Sequence, residues 1–333
     1  MTAPPTPTPT PGTDGHAAVR IRGLIKRYGP VHAVNRLDLD VPPGAVFGLL
    51  GPNGAGKTTT MLALATLLTP DEGTLAVFGR DPVTEPTAVR RLVGYMPDFF
   101  GVYEGLTCAE YLDFFAAAFR LQAVARRRRV DDLLELTDLG HKRHTDVSGL
   151  SRGMQQRLGL ARTLVHDPAL LILDEPASGL DPRARVDVRE ILLELGRQGK
   201  TVLISSHILS ELGELCDRIG IMRDGEMLAQ GTPDDLRRAA GGGATVAARV
   251  LGGTDELERA VGVALEAGAA SARVDGAVVR IEVPGGDDAV ASVLAALVGR
   301  GLRVAELSDQ RGGLERLFLS VTEEVAPSAS EAG

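Results

Sequence analysis

The apolar run Ala45–Leu50 leads directly into Gly51-Pro52-Asn53-Gly54-Ala55-Gly56-Lys57-Thr58. A short stretch that is apolar throughout marks a strand buried on both faces. Thr58–Leu68 follows, with Met61, Leu62, Leu64, Ala65 and Leu68 at helical spacing, and Thr69-Pro70 stops it. The loop between strand and helix fits G-x-x-x-x-G-K-[ST] at every position. Its glycines allow the sharp bend that turns successive N–H groups inward on an anion. The helix N-terminus adds unpaired donors and a positive dipole end. Lys57 offers a point charge to β- and γ-phosphates. The Thr58 hydroxyl is placed to ligate Mg2+, and Thr59, next in the chain, is counted with the loop. The pattern implies a nucleoside triphosphate. By itself it does not separate ATP from GTP.

A second apolar strand, Leu170–Leu173, ends in Asp174-Glu175. Ligands of parallel sheets lie beyond the carboxyl ends of the strands, so both carboxylates are expected at the phosphate-loop edge. Asp174 is the expected Mg2+ partner. Glu175 is the expected base, or orienter, for an attacking water. His207 follows a third apolar strand, Thr201–Ser205. Imidazole there can reach the γ-phosphate and hold Glu175 and the water in line.

The remaining pattern organises the chain around these motifs. Val19–Tyr28 and Arg36–Val41 alternate as half-buried strands do. Thr107 and Glu110 predict a capping box, and the region from Thr107 to about Asp146 is expected to be helical throughout. Tyr111, Leu112, Phe114, Phe115 and Phe119 are expected in the core. Helix Arg152–Val165, strand Leu170–Leu173, helix Arg183–Leu195, strand Thr201–Ser205 and helix Ile208–Cys216 predict a parallel sheet with crossover helices. Asp224-Gly225 predicts a hairpin. The composition changes at Ala239-Ala240-Gly241-Gly242-Gly243, where a linker is expected. The order βαββαβ after it predicts a small ferredoxin-like domain. A short helix is expected at 312–321. Residues 1–16, rich in Pro and Thr, and residues 325–333 are expected to be disordered.

Here the motifs resemble one family. Leu150-Ser151-Arg152-Gly153-Met154-Gln155-Gln156-Arg157 is similar to the signature of ATP-binding cassette (ABC) ATPases. The order of phosphate loop, signature, Asp174-Glu175, Ser178-Gly179-Leu180-Asp181 and His207 is that family's order, over about residues 18–238. The resemblance implies an α/β P-loop NTPase with antiparallel β and helical subdomains at 17–239, joined to a small α+β accessory domain at 244–324. It further implies that Ser151 and Gly153 contact the γ-phosphate of ATP held by a second copy, and that Asp181 couples the two sites. Tyr28 matches the aromatic that stacks on adenine, which favours ATP. Read alone, Tyr28 would be a core residue, and Ser151 an ordinary helix cap. Two motifs depart from the family. The signature reads Leu150-Ser151-Arg152-Gly153-Met154 where the family commonly has Leu-Ser-Gly-Gly-Gln, with the Ser and second Gly kept. Asp98, in Gly94-Tyr95-Met96-Pro97-Asp98, stands where the family has a glutamine that touches Mg2+. A carboxylate can still bind the ion, so altered metal dependence is expected.

Composition limits the partners. The net charge is −8, against the excess of Lys and Arg with which proteins meet nucleic acid, so none is expected. Arg126–Arg129 is the one dense basic cluster and reads as a solvated helix face. Cys108 and Cys216 lie far apart, as in a reducing cytoplasm. No stretch is apolar for the roughly 18 residues of a membrane span. The resemblance therefore implies an ATPase on the cytoplasmic face of the membrane, acting as a dimer on a separate integral membrane permease in the manner of drug and antibiotic exporters. The alternative is a soluble ABC ATPase acting on ribosomes or DNA.

Overall fold

A computed structural model describes residues 17–99, 101, 105–239, 243–285 and 287–309. The tails expected at 1–16 and 325–333, and the helix expected at 312–321, lie outside them. Two compact units divide the chain between Gln230 and Gly231.

The first unit begins with β1 (Val19–Tyr28) and β2 (Val31–Val41), then β3 (Val46–Leu50) and α1 (Lys57–Leu64). β4 (Glu72–Val77) returns to β1, forming a three-stranded antiparallel sheet of order β2-β1-β4. Next come α2 (Pro86–Leu92), β5 (Val93–Met96), α3 (Cys108–Ala118), α4 (Ala123–Leu136) and α5 (Arg152–Thr163). The unit continues through β6 (Leu170–Leu173), α6 (Pro182–Arg197), β7 (Thr201–Ser206), α7 (Leu209–Leu215), β8 (Arg218–Arg223) and β9 (Glu226–Gly231).

A six-stranded sheet of order β5-β6-β7-β3-β8-β9 is the unit's centre. From β5 to β8 all neighbours run parallel. Every residue of β3, β6 and β7 is buried, as in a parallel sheet covered on both faces; one cover is the core shared with β1, β2, β4 and α1. β9 follows β8 through Asp224-Gly225, both at positive φ, the backbone of a two-residue hairpin turn.

The helical stretch expected from Thr107 to Asp146 is broken. The predicted capping box at Thr107 and Glu110 does open α3. However, Arg120 (φ 62°) and Asp138 (φ 50°) adopt left-handed backbone just beyond α3 and α4, a geometry that terminates helices. A single 3-10 turn at Gly140–Lys142 follows. Thr66 (φ 65°) likewise lies just past the end of α1, short of the expected Leu68. Of the expected aromatic core, Tyr111 is buried, whereas Phe114 and Phe119 remain about half exposed; the buried face of α3 is too narrow for all of them. In α4, Arg126 pairs with Asp113 and Arg129 with Asp167.

The second unit holds α8 (Pro233–Ala239), β10 (Gly243–Val250), α9 (Thr254–Glu266), β11 (Ser271–Asp275), β12 (Val278–Pro284), α10 (Asp287–Gly299) and β13 (Val304–Asp309). Its sheet has the order β11-β12-β10-β13, with all neighbours antiparallel. That order, with βαββαβ connectivity, is the split βαβ arrangement of ferredoxin-like folds. β12 alternates buried and exposed positions. Its inward residues Val279, Ile281 and Val283 share a core with Ala260 and Ala264 of α9 and Val293 and Leu297 of α10.

Candidate active site

Gly51 follows β3 directly, at a position where nothing larger fits. A Cβ there would lie 2.4 Å from the Met222 carbonyl oxygen. Gly56 is doubly constrained, by a φ of +95° and by the Ala33 carbonyl oxygen 2.4 Å from a would-be Cβ. Between them Asn53 and Gly54 are exposed, while Ala55 is buried beneath the loop. Lys57 opens α1 and is only 6% exposed. Its ammonium donates to the carbonyls of Gly51 (2.6 Å) and Pro52 (3.2 Å), and lies 3.4 Å from Glu175 Oε1. The Thr58 side chain faces solvent at the mouth of the loop.

β6 and β7 bring the carboxylates and the histidine to this ammonium. Their parallel register pairs Leu173 with Ile204, so Asp174 lies next to Ser205. Asp174 is buried, and its Oδ1 accepts a 2.6 Å bond from the Ser205 hydroxyl. Glu175 takes left-handed backbone (φ 48°), costly for a residue with a Cβ and found chiefly where surroundings enforce it. Its N–H donates to Ser205 Oγ (2.8 Å), and its Oε2 accepts from His207 Nδ1 (2.8 Å). A carboxylate can only accept when ionised, so that contact puts the imidazole proton on Nδ1 and leaves Nε2 to face outward. Ser206 Oγ donates to Glu211 and accepts from the Ile208 N–H, which secures the turn carrying His207.

Asp98 stands two residues beyond Met96, whose carbonyl accepts from the Asp174 N–H (2.9 Å). The residue is exposed, yet crowding by protein atoms pushes its carboxyl above the usual range. The Asp174 and Glu175 charges push the same way, while Arg152 and His207 oppose them. Burial, reinforced by the Asp174 and Asp98 charges, pushes the Tyr95 phenol up to about 12.

The signature residues stand apart from this cluster. Ser151 caps α5, its hydroxyl accepting from the Met154 N–H (3.3 Å). Asp181 caps α6 in the same way, through the Ala184 N–H (3.0 Å). A Cβ on Gly153 would lie 2.8 Å from Ala184 Cβ, so this glycine also lets α5 approach α6. Arg152 donates to the Ser178 carbonyl (3.2 Å), with its guanidinium against Gly179. Among the described residues, no hydrogen bond or ion pair joins Ser151, Gly153 or Asp181 to the Lys57–Glu175–His207 group. Tyr28 ends β1, 51% exposed, with Lys26 Nζ 5.8 Å from its ring centre. Sequence reasoning missed Ser205. The signal was present, since aligning the ends of Leu170–Asp174 and Thr201–Ser205 as neighbouring parallel strands sets the hydroxyl beside the carboxylate.

Known proteins share this chain's sequence pattern and fold. The family model described as ABC transporter matches residues 34–178. The daunorubicin resistance ATP-binding protein DrrA3 of Streptomyces coeruleorubidus is 37% identical, over 92% of this chain and 96% of its own length. This chain belongs to the ATP-binding subunits of ABC transporters. The Nod factor export ATP-binding protein I of Ralstonia nicotianae is 41% identical to the cassette, over 68% of this chain and 71% of its own. A solved ATP-binding subunit of an ABC transporter superposes with a TM-score of 0.61 at 32% identity, covering 67% of this chain and 92% of that one. The cassette therefore binds ATP and hydrolyses it. Among the described residues, no helix is long and apolar enough to cross a membrane.

Proposed function

We propose that this chain powers the export of small apolar or amphipathic molecules, of the drug or antibiotic kind, through a separate membrane-spanning protein. It would work at the cytoplasmic face of the membrane as a pair of copies closing on two ATP molecules. The observation that carries the reading is the Lys57–Glu175–His207 group at the ends of three parallel strands. Relatives named for daunorubicin resistance and Nod factor export supply the transport context.

In this reading the loop N–H groups and Lys57 hold the phosphates, and Tyr28 carries the adenine. Glu175 Oε2 is engaged by His207, and the buried Oε1 faces the Lys57 ammonium at 3.4 Å. With Lys57 turned to the phosphates, Oε1 would be the oxygen that accepts a proton from water. Thr58 and Asp174, with Asp98 beside them, are hard oxygen donors that suit Mg2+. That ion would neutralise charge on the β- and γ-phosphates. Ser151 and Gly153 at the start of α5 would close on ATP held by the partner copy, with Asp181 coupling the two sites. Closure is then a population shift set by the preference of ATP for the closed pair.

The test is co-purification with a multi-span membrane protein and ATPase assays in lipid. Glu175→Gln should bind ATP, cease turnover and accumulate as an ATP-dependent dimer. Parental turnover by that variant would remove Glu175 from the role. A chain that hydrolyses ATP fully without any membrane partner, and binds none, would overturn the transport reading.

A further inference from the structure

Two carboxylates with different tasks stand next to each other in the chain, and something must hold them in different geometries. The side chain of Asp174, next after β6, lies inside the protein. Glu175 turns out of the strand through left-handed backbone (φ 48°). Both are tied to one atom, the Oγ of Ser205, on a residue with no solvent exposure.

The hydrogen-bond inventory of a hydroxyl gives that atom a direction. Serine has one O–H to donate and lone pairs to accept with. The Glu175 N–H donates to Oγ at 2.8 Å. The single Ser205 proton is therefore free for Asp174 Oδ1, at 2.6 Å. The chain Glu175 N–H to Ser205 O–H to Asp174 runs one way only. It engages Oδ1 and leaves Oδ2 of Asp174 for a cation. It also satisfies the Glu175 amide in a conformation that β6 and its neighbours do not otherwise supply. The next hydroxyl on the strand, Ser206, faces other partners, Glu211 and the Ile208 N–H. The end of β7 thus divides its work: Ser205 serves the carboxylates of β6, and Ser206 serves the turn that holds His207.

We propose that Ser205 is a positioning residue for ATP hydrolysis, setting the Asp174 carboxylate and the Glu175 backbone together through one hydroxyl. The inference rests on the roles given above to Asp174 and Glu175. Ser205→Ala removes only the oxygen and leaves the strand packing in place. Outer partners of metal-ligating groups commonly cost about 10- to 100-fold in metal affinity or activity when removed. Ser205→Ala should lower kcat and Mn2+ affinity in that range, with ATP affinity measured without metal unchanged.

Ser205→Thr, which keeps the hydroxyl, should recover most of the loss. In Ser205→Ala the Glu175 amide should also exchange with solvent faster than in the parent, a readout independent of turnover and of the Thr variant's fold. Parental kcat and Mn2+ binding in Ser205→Ala would overturn the proposal. So would an unchanged Glu175 amide, or metal-free ATP binding that falls in step with kcat. Glu175→Gln serves as the separate arm. If it still turns over, the assignment of the base is wrong. If it is inactive while Ser205→Ala is normal, only the role of Ser205 fails.

Discussion

The two units bury different things. In the first, the core takes in Lys57, Asp174, Ser205, Ser206, Gln156 and Arg157 along with its apolar side chains. In the second, every buried side chain among the described residues is apolar. The sheets differ correspondingly. The central strands of the first unit are buried along their whole length and end in polar groups, whereas β12 alternates inward apolar and outward polar positions. Buried polar groups cost free energy unless they are partnered. The first unit keeps them, and hydrogen bonds hold Lys57, Asp174, Ser205 and Ser206 at one sheet edge. The contrast sets the partnered buried polar groups, and the motifs that carry them, in the first unit.

The sharpest way to break this contrast is through activity. Glu175→Gln should cut kcat by about 10²- to 10⁴-fold in a steady-state ATPase assay. Arg280→Gln, on the outward face of β12, should leave kcat at the parental value. A comparable loss from Arg280→Gln would put chemistry in the second unit as well.

Core truncation comes next. Phe47→Ala, in the fully buried β3, should destabilise by about 3–5 kcal/mol, and Ile281→Ala in β12 by about 2–5 kcal/mol, in denaturant unfolding. Hydrogen exchange should place the first loss in the β3 neighbourhood and the second in β10–β12.

A partly buried histidine sharpens the polar side of the contrast. His166 stacks on Phe119 at 3.8 Å and donates from Nε2 to the Val93 carbonyl. Burial holds its pKa down to about 4, from 6.5. The folded state therefore keeps it neutral while the unfolded chain protonates it. Its contribution is present above pH 6.5 and is lost as the pH falls toward 4. The loss should be on the order of 2–3 kcal/mol. Unfolding of His166→Gln and the parent at pH 7 and pH 4.5 measures it, with the variant showing the weaker pH dependence.

The smallest effect concerns Gly153. Its would-be Cβ meets Ala184 Cβ at 2.8 Å, so Gly153→Ala should cost about 1–3 kcal/mol by overpacking. Ala184→Gly in the same chain should return the stability. An ATPase defect that persists in the double variant would separate a phosphate contact from the packing role.

Local pattern made much of the first unit legible. Strand, glycine loop and helix at Ala45–Leu68 follow one another within a single short segment. The capping box at Thr107 and the hairpin at Asp224-Gly225 are likewise each confined to a few neighbouring residues. The break at Arg120 was not legible, because left-handed backbone at an arginine has no composition signal of the kind glycine carries. The exposure of Phe114 was hidden for another reason: helical spacing says which residues share a face, not how wide a face the neighbours cover. Gly153 illustrates both levels, a motif residue in the sequence and a helix-packing contact in the fold.

The sequence by itself determined the chemistry on offer and its order: a phosphate loop ending in Lys57 and Thr58, a strand ending in Asp174-Glu175, and His207 after another strand. Periodicity and motif spacing are local, and local rules suffice for that much. Only the tertiary structure decided which atoms meet. The Ser205 bond to Asp174 spans 31 positions of chain, and it exists because β6 and β7 pair with Leu173 opposite Ile204. That register is set by the whole buried sheet, where slipping one residue would turn every side chain to the other face.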